Sequence, residues 1–422
     1  MNKKILVLSM SSWNDSVGSN TWREILSEFD PNNIACISFR EEPPSENFSK
    51  NYFIVSESAV IKNVFKKTKC CYKYEKDDLL ASINEHNLSS SIKIRSKRHF
   101  FYFFKKMIRE FLWKISRWKT KELVEFIKNF NPDYILFFMD GYIYFNDFCR
   151  FVIDNTSAKS IGYFVDDTFS YKQRIGVGFK ILRFFQRTSL RKLVKKTDYF
   201  WAITDKTKKE ADKLFKIDCT VITKPIKKQT TEQFNFNNWP LQILYTGNLG
   251  IGRDKTLKKL VSELIKVNKN NIYFNLDVYT SSNVSIKCAN KASFVSLIPS
   301  IPQSEALKKQ SDADILLFVE GTSLCTKNIA RLSFSTKITD YLSCGKPILA
   351  IGNKSIAPIE YLLKHNACLD AHNKKSIRKC LLQIINNPAI LSEISKNSIS
   401  LGLSNHNDSI IKERINSFLI GC

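Results

Sequence analysis

Apolar and polar positions along the chain alternate between two periods. Short apolar runs at residues 5–8, 34–38, 134–138 and 160–165 read as strands, while segments between them, such as 21–29 and 121–130, repeat apolar positions at helical spacing. This alternation predicts an α/β layer structure with a mainly parallel sheet. A polar stretch at 227–238 has no periodicity, and beyond it strands are predicted again at 241–245, 273–279, 293–297, 315–318 and 347–351, with helical patterns between them. The pattern therefore predicts two doubly wound, Rossmann-like domains, 1–230 and 231–405, facing each other across a cleft. In a last segment, 406–422, Ile410, Ile411, Ile415 and Leu419 form a helical stripe that needs a covering surface, expected on the first domain. In open α/β sheets ligands sit beyond the carboxyl ends of the strands, so the loops there are where chemistry is expected.

Composition narrows the picture only in part. The 422 residues, 43% of them hydrophobic, suffice for two cores. Eleven cysteines without a CxxC pair or metal-ligand spacing point to reduced thiols and a cytoplasmic setting. The basic start, Met-Asn-Lys-Lys, precedes too short an apolar run for a signal peptide. No run approaches the roughly 20 apolar residues of a spanning helix, so membrane contact is expected to be peripheral. A formal net charge of +25 favours anionic partners without choosing among nucleic acid, anionic lipid and phosphorylated substrates.

The segment 334–352 carries the most specific chemistry. It reads as a short helix, a glycine stop at Gly345 and a buried strand after Pro347. Ser335 and Thr336 are expected to cap the helix, Lys337 adds a positive charge beside the free N–H groups, and Asp340 follows on the same face to accept from sugar hydroxyls. That set suits a nucleoside diphosphate. A second phosphate-binding candidate is the turn after the 241–245 strand, where Gly247, Asn248, Gly250 and Gly252 allow close backbone approach and Arg253 or Lys255 supplies charge. A third, Glu320-Gly321-Thr322, follows the 315–318 strand, so all three are expected at one sheet edge.

Together these pieces resemble the nucleotide-sugar-dependent glycosyltransferases of the two-Rossmann-domain (GT-B) class, in particular the large retaining group called family 4. The run from Phe334 through Ala350 is similar to that group's donor-binding Pro-Ser-Lys-Leu-x-Glu-Tyr pattern, and Asp340 stands where the ribose-binding glutamate is usual. The resemblance covers the second half well, and the first half only in architecture and in a loop containing Gly18. It implies a metal-independent, retaining glycosyl transfer with no cofactor, a nucleotide-sugar donor held by Gly247, Asn248, Gly250, Gly252, Glu320, Ser335, Thr336 and Asp340, and Arg253 and Lys337 stabilising the departing diphosphate. Two features depart from the pattern: Leu332 stands eight residues before Asp340 in place of a glutamate, with Glu320 the nearest substitute, and the first-domain histidine is missing. Were transfer inverting, Asp166 or Asp167 after the 160–165 strand would be the base, with Asp140 a further acceptor-side candidate.

Two basic segments, 98–118 and 179–196, place aromatic residues among lysines and arginines. They suit an anionic membrane surface and a saccharide or lipid-linked saccharide acceptor, as in surface polysaccharide or glycolipid assembly. A nucleic-acid-binding protein is the alternative from another class, disfavoured because no helix-turn-helix, zinc-finger or RNP-like signature is visible. A non-hydrolysing sugar-nucleotide epimerase on the same architecture is the alternative within enzymes.

Overall fold

The computed structural model describes residues 3–11, 21–41, 48–74, 99–282 and 292–420. The chain divides into two compact units, residues 1–221 with 419–422, and residues 222–418. The aperiodic segment 227–238 thus belongs to the second unit, where Gln229 Nε2 donates to the Leu342 carbonyl at 2.7 Å and Phe234 N–H to Ser395 Oγ at 2.8 Å.

The first unit is built on strands β1 (Ile5–Ser9), β2 (Ile34–Ser38), β3 (Asn51–Val55), β4 (Cys71–Lys73), β5 (Tyr134–Phe138), β6 (Lys159–Phe164), β7 (Tyr199–Ala202) and β8 (Cys219–Val221). Their order is β4-β3-β2-β1-β5-β6-β7-β8, parallel throughout except for the β3–β4 pair. Strands β1 and β2 are buried at every position, as continuous apolar runs covered on both faces require. The helices are α1 (Thr21–Ile25), α2 (Glu57–Lys62), α3 (His99–Ile115), α4 (Lys121–Phe130), α5 (Ile143–Asp154), α6 (Val177–Val194) and α7 (Asp205–Phe215). Helix α4 matches its predicted bounds, opening on a Thr120 cap and closing on Asn131 in the left-handed region.

The second unit carries β9 (Leu241–Thr246), β10 (Phe274–Thr280), β11 (Val295–Pro299), β12 (Ile315–Val319), β13 (Ile348–Ile351) and β14 (Leu369–Ala371) in the order β11-β10-β9-β12-β13-β14, all parallel. Its helices are α8 (Arg253–Val267), α9 (Gln303–Asp312), α10 (Leu324–Ala330), α11 (Lys337–Cys344), α12 (Ala357–Lys364), α13 (Lys374–Asn386), α14 (Ala389–Asn405) and α15 (Asp408–Ile420). In both sheets the strand order reverses once, between β1 and β5 and between β9 and β12. Those reversals open crevices at the strand ends.

Several elements escaped the sequence pattern. Strands β3, β4, β7, β8 and β14 were not anticipated, and β11 is half-exposed, so its apolar alternation is weak. On helix α3 Trp113 is fully buried and stacks on Tyr144 with ring centroids 4.5 Å apart, while Phe104, Phe111 and Ile115 are exposed. The sulfurs of Cys70 and Cys71 lie 3.8 Å apart and unbridged.

Candidate functional site

The crevice between β9 and β12 gathers most of the residues singled out from the sequence. Gly247 ends β9 at φ +134°, and a Cβ on it would occupy the position of the Lys337 ammonium. Glycine is favoured here by its dihedral, and any side chain would displace the Lys337 amine. The Lys337 amine sits 4.5 Å above the Tyr245 ring and 3.4 Å from its hydroxyl, a cation–π contact made inside a largely enclosed site. Burial, with Arg253 adding repulsion, lowers the Lys337 amine to a pKa of about 8. The ammonium is charged at neutral pH and poorly solvated, a condition that favours an incoming anion.

Arg253 and Glu320 form the neighbouring element of the site. The Arg253 guanidinium grips the buried Glu320 carboxylate with Nε to Oε2 at 3.1 Å and Nη2 to Oε1 at 2.7 Å. Burial works against the arginine's charge, but Glu320 more than offsets this and leaves its pKa above the ordinary value. From the sequence, Arg253 was expected to supply positive charge to the donor diphosphate. In the structure Arg253 is paired with Glu320, because a buried carboxylate needs a partner and the guanidinium of the adjoining loop supplies it. Thr256 Oγ1 ties α8 to the Glu320 carbonyl at 2.9 Å, and Lys259 Nζ reaches Thr322 Oγ1 at 2.7 Å.

Other expected donors also turn inward. The first amides of α8 donate to its own loop, Arg253 N–H to the Gly250 carbonyl and Asp254 N–H to the Leu249 carbonyl. The Asn248 side chain accepts from Gly250 N–H. Gly252 caps α8 in the left-handed region at φ +78°. On α11 the expected side-chain caps are missing: Thr336 is already helical (φ −61°, ψ −20°) and makes no capping hydrogen bond, and the Ser335 carbonyl rather than its hydroxyl accepts from Ile338 N–H. Asp340, expected to accept from sugar hydroxyls, has a charged partner in the structure. Its Oδ1 lies 2.7 Å from Lys224 Nζ, and both side chains are largely buried, at 16% and 9% exposure. Gly345 does end α11 in the left-handed region, at φ +62°.

Three residues of this site were not singled out from the sequence: Tyr245, Lys224 and Gln310. Gln310 Nε2 donates to Thr246 Oγ1 at 2.8 Å. Lys224 had a visible signal, a lone charge within the apolar run Val221-Ile222-Thr223-Lys224-Pro225-Ile226. Tyr245 looked like any strand residue.

The acceptor-side residues lie in the first unit, and Gly18 falls outside the described residues. Asp140 follows β5 at the strand reversal and accepts from Gly141 N–H; burial and then the Asp166 carboxylate push its pKa up to about 6. Asp167, fully buried, accepts from Ser170 N–H at 2.8 Å. Asp140 and Asp167 line a common cavity with Arg183.

Two doubly wound, mainly parallel sheets, each with one strand-order reversal, define the fold as the two-Rossmann-domain, GT-B class. No protein-family model matches the chain, and no curated protein matches it. Solved structures do. HepE (Alr3699) of Anabaena, in complex with UDP, is 9% identical with a TM-score of 0.62, the match covering 99% of this chain and 100% of that one. The apo lipopolysaccharide outer core galactosyltransferase WaaB is 13% identical with a TM-score of 0.57 over 99% of both chains. A UDP-GlcNAc 2-epimerase of Neisseria meningitidis bound to UDP-GlcNAc is 11% identical at a TM-score of 0.50, covering all of both chains.

Proposed function

We propose that the protein is a glycosyltransferase that moves a sugar from a nucleoside diphosphate sugar, with UDP as the nucleotide, to an acceptor in surface polysaccharide or glycolipid assembly. The observation that carries this reading is Lys337. A desolvated ammonium held between the Tyr245 ring and Gly247, where strand order reverses, is suited to a diphosphate. Breaking the bond between the anomeric carbon and the diphosphate oxygen leaves negative charge on that oxygen. Lys337 is placed to stabilise this charge without reorganisation, the role a metal plays in other transferases. Likeness to structures that hold UDP, and to a galactosyltransferase, supports the same choice. The sequence resemblance supports a metal-independent reaction that retains anomeric configuration.

Peripheral membrane association is the second part of the reading. Among the described residues no helix is long and apolar enough to cross a membrane. Helices α3 and α6 nevertheless expose Phe104, Phe111, Ile181 and Phe184 beside exposed Lys105, Lys114, Lys180 and Lys192. This mixture suits an anionic lipid surface and a lipid-linked acceptor. The likeness to a UDP-GlcNAc 2-epimerase supports a second reading, chemistry on the nucleotide sugar alone.

Calorimetric titration with UDP and GDP in the presence of EDTA, in wild type and Lys337→Ala, tests the donor site. Micromolar UDP binding that falls at least about tenfold in the variant is expected, from the loss of a charge-assisted contact. Equal binding in both proteins would remove the site. Product formation that needs no acceptor would favour the epimerase reading.

A further inference from the structure

The loop ends of the first sheet enclose a cavity that donor binding does not use. It measures about 160 Å³, below the roughly 300 Å³ at which drug-sized pockets begin, so it has room for one charged substituent and its attached atoms. Asp140 after β5, Asp167 after β6, Gln173, and Arg183 and Gln186 on α6 line it. Arg183 is only 3% exposed and Gln186 6%. Arg183 Nη2 donates to Gln173 Oε1 and, at 3.4 Å, to the Asp167 carbonyl. Its Nε and Nη1, and Gln186 Oε1, have no partner.

Buried donors on a charged group without acceptors are costly, and such groups call for an explanation in a ligand or ordered water. Burial brings Arg183 down to about 10, so it is charged at neutral pH. The charges lining the cavity are three cations, Lys106, Arg174 and Arg183, against the carboxyls of Asp140 and Asp167. Burial raises the Asp140 carboxyl to about 6, above the ordinary aspartate value.

We propose that this cavity is a subsite for an anionic substituent, a carboxylate or a phosphate, on the acceptor saccharide, with Arg183 as its principal ligand. The inference rests on reading the chain as a glycosyltransferase and adds the chemical class of the acceptor. An acidic sugar brings the acceptor that the idle Arg183 donors lack, and Gln186 Oε1 can accept from a hydroxyl next to the charge. A neutral sugar leaves the guanidinium unsatisfied and binds more weakly.

The test is calorimetry on the full chain, with and without UDP, using glucuronate, glucose 6-phosphate and glucose as probes. Wild type is expected to bind at least one acidic sugar at least about tenfold more tightly than glucose, with the glucuronate and phosphate arms telling which anion is preferred. Arg183→Gln is expected to lose that preference at unchanged UDP affinity. Arg174→Gln, at an exposed position on the rim, is expected to weaken acidic-sugar binding several-fold, and it keeps the test decisive if Arg183→Gln loses its thermal transition. Equal binding of glucose, no binding of either acid, or wild-type acid binding in both folded variants would overturn the subsite. UDP binding without acidic-sugar binding would remove the subsite and leave the donor reading intact; acidic-sugar binding without UDP binding would support the anion site and remove the donor reading.

Discussion

Arg253 and Glu320 meet through two hydrogen bonds, at 3.1 and 2.7 Å, joining the start of α8 to the loop after β12. The pair neutralises Arg253 of the glycine-rich turn, while Lys337, beside the Tyr245 ring, has no ion-pair partner within 4 Å among the described residues. An acid held this close to the proposed diphosphate site opposes the ligand's charge.

Removing that opposition has a measurable consequence. Glu320→Gln is expected to tighten UDP binding several-fold, because Arg253 becomes available to phosphate, while lowering stability by about 1–3 kcal/mol through loss of charged hydrogen bonds. Arg253→Ala is expected to cost more, about 3–5 kcal/mol, since it strands a carboxylate of 5% side-chain exposure. Chemical denaturation and UDP titration of both variants check the asymmetry; equal destabilisation would show that the buried carboxylate is not the costly partner.

The depressed Lys337 pKa predicts a pH dependence of donor binding. The diphosphate prefers the ammonium form, and the free protein loses it above pH about 8. UDP affinity should therefore be flat from pH 6 to 7.5 and fall by up to about tenfold per unit above 8, with proton uptake on binding. Lys337→Met should abolish the slope. A slope that persists in this variant would assign it to another group.

Lys224 and Asp340 provide a test of their own. Breaking a largely buried pair leaves one charge unpaired, so Lys224→Met or Asp340→Leu alone should cost about 3 kcal/mol, and the double variant should recover most of it. A double-mutant cycle by urea denaturation reads the coupling. If Asp340 instead serves the ribose hydroxyls, Asp340→Asn would weaken UDP binding and leave the melting temperature in place.

Buried His406 predicts acid lability. Its Nε2 lies 2.8 Å from the Tyr361 hydroxyl, and burial lowers its pKa to about 4. The unfolded chain then binds the proton first, so stability is lost as pH falls from about 6.5 toward 4, by roughly 3 kcal/mol in all. His406→Gln should flatten that part of the stability profile; an unchanged profile would place the acid sensitivity elsewhere.

Local pattern determined much of this protein. Continuous apolar runs such as 34–38 and 134–138 became strands with those bounds, and Gly345 ended its helix, because strand burial and the left-handed cap depend on a few adjacent residues. The glycine-rich turn was likewise legible, since the positive φ at Gly247 and Gly252 is a conformation that glycine adopts freely. Charge pairing was decided only by tertiary structure. Glu320 and Arg253 are 67 residues apart and Asp340 and Lys224 are 116 apart, and neither local spacing nor composition says which buried charge will meet which. The same is true of α3, where amphipathic spacing permitted either face to turn inward and Trp113, by packing on Tyr144, left the other aromatic face in solvent. Burial is a property of the neighbours a side chain meets, and those are assembled from strands and helices far apart in the chain.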